Sequence, residues 1–323
     1  MDRGMQHPEV EQTHVQFTHE GVSCTLPVYT ITGAHPGKHM LITAGMHGDE
    51  VNGVQMAYHF LETFVQTRGP EELHGTITVV PLLNPLGFAE MNRYVPVDNG
   101  DLNRSFGVEK KATFSHFFAE FLYTTFFAHV DHAIDIHDAG RRSALLAHPR
   151  IHECEANVCV NCTREMSFWF GSEVVMEREG HEHMLAVYAN NVHQLPIMTV
   201  EVGGNQRLYR EYYGQVMKGI TNTLVGLHYL DQQLAPTSPH QYYLSDRYFY
   251  TAPRAGILTL HVWLGDLVEV WSPLADIFYP DTGESERFVA KEAGFVFSLW
   301  CASQIPQETS FLSLLSSSLS SPT

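Results

Sequence analysis

A histidine and a glutamate three residues apart, His47 and Glu50, stand in the run Met46-His47-Gly48-Asp49-Glu50. A strand-like pattern gives way there to a helix-like one. At that spacing both side chains can meet one cation at the turn, and Gly45 and Gly48 permit the tight backbone this needs. A third candidate, His137, ends the run Asp135-Ile136-His137. Two histidines and one glutamate, with a fourth position left to water, form a known catalytic zinc set. Asp135 falls on the same strand face as His137, because strand side chains alternate, and is placed to orient the site. Taken singly, each pattern also fits an ordinary turn or a capped strand end.

Two further segments carry chemistry. Asn84 to Phe106, NPLGFAEMNRYVPVDNGDLNRSF, is long, polar and holds Arg93 and Arg104. An arginine fork binds a carboxylate through two parallel hydrogen bonds. Asn103 adds a neutral donor beside it, and Arg93 can polarise a carbonyl or stabilise an oxyanion. Surface salt bridging is the plainer use of the same residues. The other segment is Thr199-Val200-Glu201-Val202-Gly203-Gly204. A carboxylate inside an apolar strand run is costly without a task or a partner. Raised basicity would suit Glu201 to take a proton from water, while a buried salt bridge is the structural alternative.

These residues need a scaffold, and the first 230 or so positions supply one by alternating signals. Lys38 to Met46 reads as a buried strand and Glu50 to Arg68 as a helix, with Val51, Val54, Tyr58, Leu61 and Val65 at helical spacing. Gly75 to Leu83, His132 to His137 and Pro196 to Val202 read as strands. Ala112 to Val130, Gly180 to Gln194 and Leu208 to Leu230 read as helices. Strands alternating with helices indicate an α/β unit around a parallel or mixed sheet. A polar stretch with two prolines, Asp231 to Pro239, marks a boundary, so residues 1–232 and 233–323 are expected as separate domains.

The second part reads as short strands between turns. It holds a weak repeat: Ala252, Ala255 and Gly256 of YTAPRAGILTL align with Ala290, Ala293 and Gly294 of FVAKEAGFVFSL. Two such half-motifs suggest a small sandwich or flattened barrel of the lipoyl-like type. The turn between the halves, near Tyr279 to Gly283, has no lysine, so no carrier role is expected. The final SSSLSSPT reads as a disordered tail.

The bulk properties exclude several functions. Of the 323 residues, 44% are apolar, enough for a full core. The net charge of −17, from 19 Lys+Arg against 36 Asp+Glu, disfavours binding to nucleic acid or anionic lipid. No apolar run reaches the ~18 to 20 residues of a membrane span. Phe114 to Val130 is broken by His116, Glu120 and His129. The opening MDRGMQHPEV lacks a signal-peptide core, and five cysteines in a chain this long are no disulfide framework. A cytoplasmic location with reduced thiols is expected.

In their order, the four segments resemble the succinylglutamate desuccinylase/aspartoacylase family, a branch of the zinc carboxypeptidase superfamily. The shared pattern is a strand, HGxE, NP…R…DLNR, DxH and a Glu-Val-Gly strand, spanning Lys38 to Gly204 here. The resemblance implies a zinc-carboxypeptidase-like mixed sheet flanked by helices, followed by a small all-β domain that narrows access to the metal. It implies one zinc per chain on His47, Glu50 and His137. It gives Arg93 the scissile carbonyl, Asn103 and Arg104 the substrate's α-carboxylate, and Glu201 the role of general base and then acid. The implied reaction is hydrolysis of the amide bond of a small N-acyl amino acid by metal-activated water, without a covalent enzyme intermediate.

Two rival readings remain open: a carboxypeptidase or peptidoglycan-peptide amidase with the same site, and a catalytically inactive binding protein. His152, Cys154, Cys159 and Cys162 have the types of a structural zinc site, but their spacings match no standard knuckle, so free thiols are expected. Arg141, Arg142 and Arg207 are candidates for a second substrate carboxylate, with plain surface charge as the alternative. The acyl group, the amino acid and any homo-oligomeric state are not legible.

Overall fold

The computed structural model describes residues 9–153, 157–207, 210–235, 237–238 and 240–316. A strand pair absent from the sequence reading comes first, β1 (Val10–His19) and β2 (Val22–Thr32). Then follow β3 (His35–Ala44), α1 (Val51–Thr67), β4 (His74–Val80) and α2 (Pro85–Ala89). After them come α3 (Phe114–Leu122), β5 (His132–His137), β6 (Ser143–Glu153), α4 (Asn157–Phe170) and β7 (Val174–Glu179). The α/β series closes with α5 (Leu185–His193), β8 (Ile197–Gly204) and α6 (Arg210–Gly226).

The remaining strands are β9 (Tyr242–Leu244), β10 (Asp246–Thr251), β11 (Gly256–Leu260), β12 (Leu267–Val268) and β13 (Pro273–Tyr279). They end with β14 (Glu284–Val289), β15 (Gly294–Trp300), β16 (Gln304–Ile305) and β17 (Ser310–Ser316). The aligned glycines of the half-repeat, Gly256 and Gly294, each open a strand. The tail from 317 onward lies outside the described residues.

One 13-stranded mixed sheet runs in the order β1-β2-β4-β3-β5-β8-β6-β15-β17-β10, with β7, β9 and β12 attached beside it. Its centre, β4, β3, β5 and β8, is parallel, and β6 lies antiparallel to β8. Alternation sorts the side chains of these strands. Ile42, Ile134, Ile136, Met198 and Val200 face a core shared with α1, α4 and α6. Leu41, Ala133 and Ile197 face a second core with α3 and α5. Asp135, His137, Thr199 and Glu201 share the second face by the period of two.

The segment expected as one helix from Ala112 to Val130 is an α-helix to Leu122 followed by a π-helical turn over Tyr123–Phe127. The long helix expected to reach Leu230 ends at Gly226. His228 then takes a positive φ of 64°, and Leu230 pairs with Leu73. Gly180 to Met184 is not helical as expected, and α5 begins only at Leu185.

Beyond residue 240 the chain adds β15 to the β6 edge, with Ser298 against Leu145 and Trp300 against Ser143. A separate sheet in the order β14-β13-β11-β16 covers this end. Leu258, Leu274, Ile277, Val296, Phe311 and Leu312 fill the space between the two sheets as a sandwich core. Among the described residues no helix is long and apolar enough to cross a membrane.

Candidate metal and acid–base site

The turn after β3 presents His47. Gly45 has a φ of 65°, and a Cβ on Gly48 would lie 2.0 Å from the backbone of Gly87. The glycines thus let this turn press against the segment that leads to Arg93. Glu50 comes just before α1 and points back into the turn. His137 closes β5 one strand away.

The three side chains meet. His47 Nδ1 is 2.6 Å from Glu50 Oε1, and His137 Nδ1 is 2.8 Å from Glu50 Oε2. All three are buried, and their donor atoms lie within 4.8 Å of one another. The outer nitrogens are also held: His137 Nε2 lies 2.8 Å from Asp135 Oδ2, and His47 Nε2 lies 3.2 Å from Asp101 Oδ1. Asp135 is fixed in turn by the Thr43 hydroxyl, which donates to Oδ1 at 2.7 Å. A carboxylate behind each imidazole fixes the ring and leaves Nδ1 as the inward donor, the usual support of a metal-binding histidine. The donor set therefore fits a metal ion.

The electrostatics follow from this geometry. Burial disfavours the Glu50 anion, but the two imidazoles outweigh it and hold its carboxyl well below the ordinary range. Burial likewise opposes a charged His137, yet Asp135 and Glu50 raise it well above the usual imidazole value. Glu201 differs. It is paired in register with His137 across β5 and β8, and burial pushes its pKa up; Glu50 adds to the rise, while His137, Arg150 and His47 temper it. A carboxyl with raised proton affinity beside a donor set that fits a cation could act chemically as a general base.

Arg93 reaches the pocket: Nη1 lies 3.0 Å from Glu50 Oε1 and Nη2 lies 3.6 Å from Asp101 Oδ2. Its side chain keeps 41% of its surface exposed, so it can serve an incoming group. Asn103 is buried and its Oδ1 accepts from the Leu185 amide at 3.1 Å. Arg104 is more open, with Nε 3.7 Å from Asp101 Oδ2. The structure thus gathers Arg93, Asn103 and Arg104 around Asp101, beside His47. Arg141, Arg142 and Arg207 are exposed, and Arg142 stacks over Trp300. Cys154 lies outside the described residues, and His152 packs under α5 near Thr199 rather than in the pocket.

Several residues at the site carry no role in the sequence reading. Asp101 braces His47 and both arginines. Asp138 offers its amide to Glu50 Oε2 at 3.3 Å, and its carboxylate accepts from the Asn52 and Gly140 amides. His148 faces Glu201 from β6 in register. The Gly-Asp-Leu-Asn-Arg run did flag Asp101's segment. Nothing local flags Asp138, whose partner Glu50 is 88 residues away in sequence.

Comparison with known proteins bears on this arrangement. A succinylglutamate desuccinylase/aspartoacylase catalytic domain model matches residues 36–227. The N-alpha-acetyl-L-2,4-diaminobutyric acid deacetylase of Halomonas elongata is 24% identical over 296 residues, 85% of each chain. Product-bound EutE (DoeB), an ectoine utilization protein of Ruegeria pomeroyi, superposes with a TM-score of 0.82 at 22% identity, over 98% of both chains. A succinylglutamate desuccinylase of Silicibacter sp. TM1040 gives 0.80 at 21% identity, over 98% of this chain and 97% of the other. These structures share the fold.

Proposed function

Because the chain belongs to the succinylglutamate desuccinylase/aspartoacylase family, we propose that it is a zinc-dependent deacylase that hydrolyses the amide bond of a small N-acyl amino acid in the cytoplasm. The observation that supports this most directly is the buried His47, Glu50 and His137 donor set with Glu201 one strand away. His47 and His137 through Nδ1, and Glu50 through its carboxylate, would hold the metal. Zinc bound there supplies Lewis acidity, which makes water a nucleophile near neutral pH.

The chain's own groups do the rest. Glu201 takes the proton of the attacking water, then delivers it to the departing amine nitrogen. Arg93 donates to the amide oxygen as negative charge develops on it. Asn103 and Arg104 hold the α-carboxylate and so fix which bond lies beside Glu201. Asp135 and Asp101 keep the two imidazoles oriented. We assign residues 1–232 to the catalytic domain and 233–323 to a β domain that narrows the approach.

Amine release from a panel of N-acyl amino acids, with metal content measured on the same sample, tests the proposal. Hydrolysis should vanish with a chelator and return with zinc. Bound zinc with cleavage of peptides alone would shift the assignment to a peptidase, and a folded chain with neither metal nor turnover would leave only a binding protein.

A further inference from the structure

Next to the loop that carries Asn103 and Arg104 lies a second cavity, of about 270 Å³. Its walls come from the chain just after that anchor, Ser105 to Val108, from α3 and its π-helical turn, and from α5. None of His47, Glu50, His137 and Glu201 lines it. Three rings crowd together in its wall. Tyr188 meets Tyr123 edge to face at 5.0 Å between ring centres, and His193 lies 4.6 Å from Tyr123 and 5.3 Å from Tyr188. Gly107 lets the loop reach this cluster: it takes a φ of 67°, and a Cβ there would lie 2.3 Å from the Tyr188 ring. The same loop is tied to the start of α5. The Leu185 amide donates to Asn103 Oδ1 at 3.1 Å, and the Phe106 amide donates to the His183 carbonyl at 3.2 Å.

Two features mark a ligand site instead of a gap in packing. One is the Tyr123 hydroxyl. Tyr123 is 4% exposed, yet its hydroxyl has no hydrogen-bond partner among the described residues. Burial first, then the Tyr188 phenol, raises its pKa, so it stays a proton donor at neutral pH. A buried donor without an acceptor is costly, and a ligand that accepts from it removes that cost. The other feature is the π-helical turn over Tyr123–Phe127, which breaks α3 at the cavity wall; such turns recur at functional sites.

The charges of the cavity come as a pair. Lys111 Nζ lies 2.7 Å from Glu120 Oε1. Burial raises the Tyr188 pKa, Glu120 adds to the rise and Lys111 tempers it, so the pair stands close to the rings. The two side chains are 28% and 51% exposed, and so open an ion pair contributes little stability, so parting it costs little. A free α-amino acid bears its ammonium and its carboxylate on one carbon and matches such a pair. Its carboxylate can take the Lys111 ammonium and the Tyr123 hydroxyl, and its ammonium the Glu120 carboxylate. Phe106, Val108 and Ala119 with the three rings give the rest of the wall an apolar, aromatic character that suits an aromatic side chain.

We propose that this cavity is a second binding site, for a free α-amino acid with an aromatic side chain, and that its occupancy is felt at the Asn103–Arg104 anchor. Free amino acids are the amine products of the proposed reaction, so the site ties product level to substrate capture. The coupling rests on the deacylase reading; the binding does not.

Calorimetry with L-phenylalanine on the full chain tests the site. Saturable binding should survive Arg104→Gln, which removes the anchor of the catalytic pocket. Ala128→Trp should abolish it; Ala128 lines the cavity and is exposed, so this variant should fold while its indole fills the space. Tyr123→Phe should weaken binding by about 10-fold, with thermal stability unchanged or higher because an unpaired hydroxyl is gone. A tyrosine with only a packing role would leave the affinity unmoved. In a turnover assay, phenylalanine should shift the KM of an aliphatic N-acyl amino acid by about 5-fold or more, and Ala128→Trp should be insensitive to it. No saturable binding, or binding lost in Arg104→Gln and kept in Ala128→Trp, overturns the site. Binding with an unmoved KM overturns the coupling. Absence of any deacylation overturns the proposed function and with it the coupling, while calorimetry still decides the site.

Discussion

Glu201 has a histidine in register on each side, and the two live in opposite worlds. On the β5 side His137 stands between Asp135 and Glu50, which raise its pKa well above the usual value against the pull of burial. On the β6 side His148 is as deeply buried, but its neighbours are Arg150, Arg247 and the Phe297 ring; burial first, then those cations, push it down to about 3. One half of the face is furnished with carboxylates around a donor triad, the other with cations lacking acids. Glu201 sits at the seam, so its charge is the one each half competes to set. A face divided in this way sets opposite electrostatic environments on the two sides of one carboxylate.

Removing the seam should have the largest effect. Glu201→Gln keeps size and polarity but cannot take a proton, so kcat should fall by about 10²- to 10⁴-fold while zinc content stays at the wild-type level. Near-normal turnover in that variant would assign the base elsewhere. Asp135→Asn acts on the carboxylate half alone. It loosens the ring of His137, and zinc affinity should drop by about 10- to 100-fold in competition with a chelator. Unaltered affinity would mean that Asp135 merely fills space.

The smallest effect concerns the cationic half and depends on pH. His148 is held neutral when folded, with a pKa of about 3, against an ordinary imidazole value near 6.5 when unfolded. The unfolded chain therefore binds the extra proton, and this contribution to stability is complete above pH ~6.5 and is lost as pH falls toward 3. His148→Gln should flatten the decline of denaturant-measured stability between pH 6 and 4 by about 1.4 kcal/mol per pH unit. An identical slope in both proteins would show that His148 is protonated already in the fold.

The carboxylate half was legible because its residues fall at turns and strand ends with tight spacing. His47 and Glu50 share one turn, and Asp135 and His137 share one strand end. The cationic half was not legible, for a physical reason. His148, Arg150 and His152 recur at every second position, which is a strand signal, but Pro149 interrupts the run and such a residue argues against an interior strand. Here Pro149 lies against Val200 in an irregular antiparallel pair, with a register shift close by, so its missing N–H is tolerated. Arg178 and Arg247 reach the face only through the pairing of β6 with β7 and of β10 with β17, contacts between segments far apart in sequence. The β1–β2 hairpin was missed as well: β1 is polar at most positions, and Pro27 interrupts the alternation of Cys24, Leu26 and Val28 in β2.

The seam between β6 and β15 carries a last consequence, for anyone dividing the chain. Because β15 continues the large sheet from β6, a fragment ending near residue 232 would bare the backbone of Ser143 to Leu145 beside the Glu201 strand. It would also strip β7 of its neighbour β9. Such open edges recruit strands from other molecules, so the shortened protein would be expected to self-associate instead of yielding a minimal enzyme.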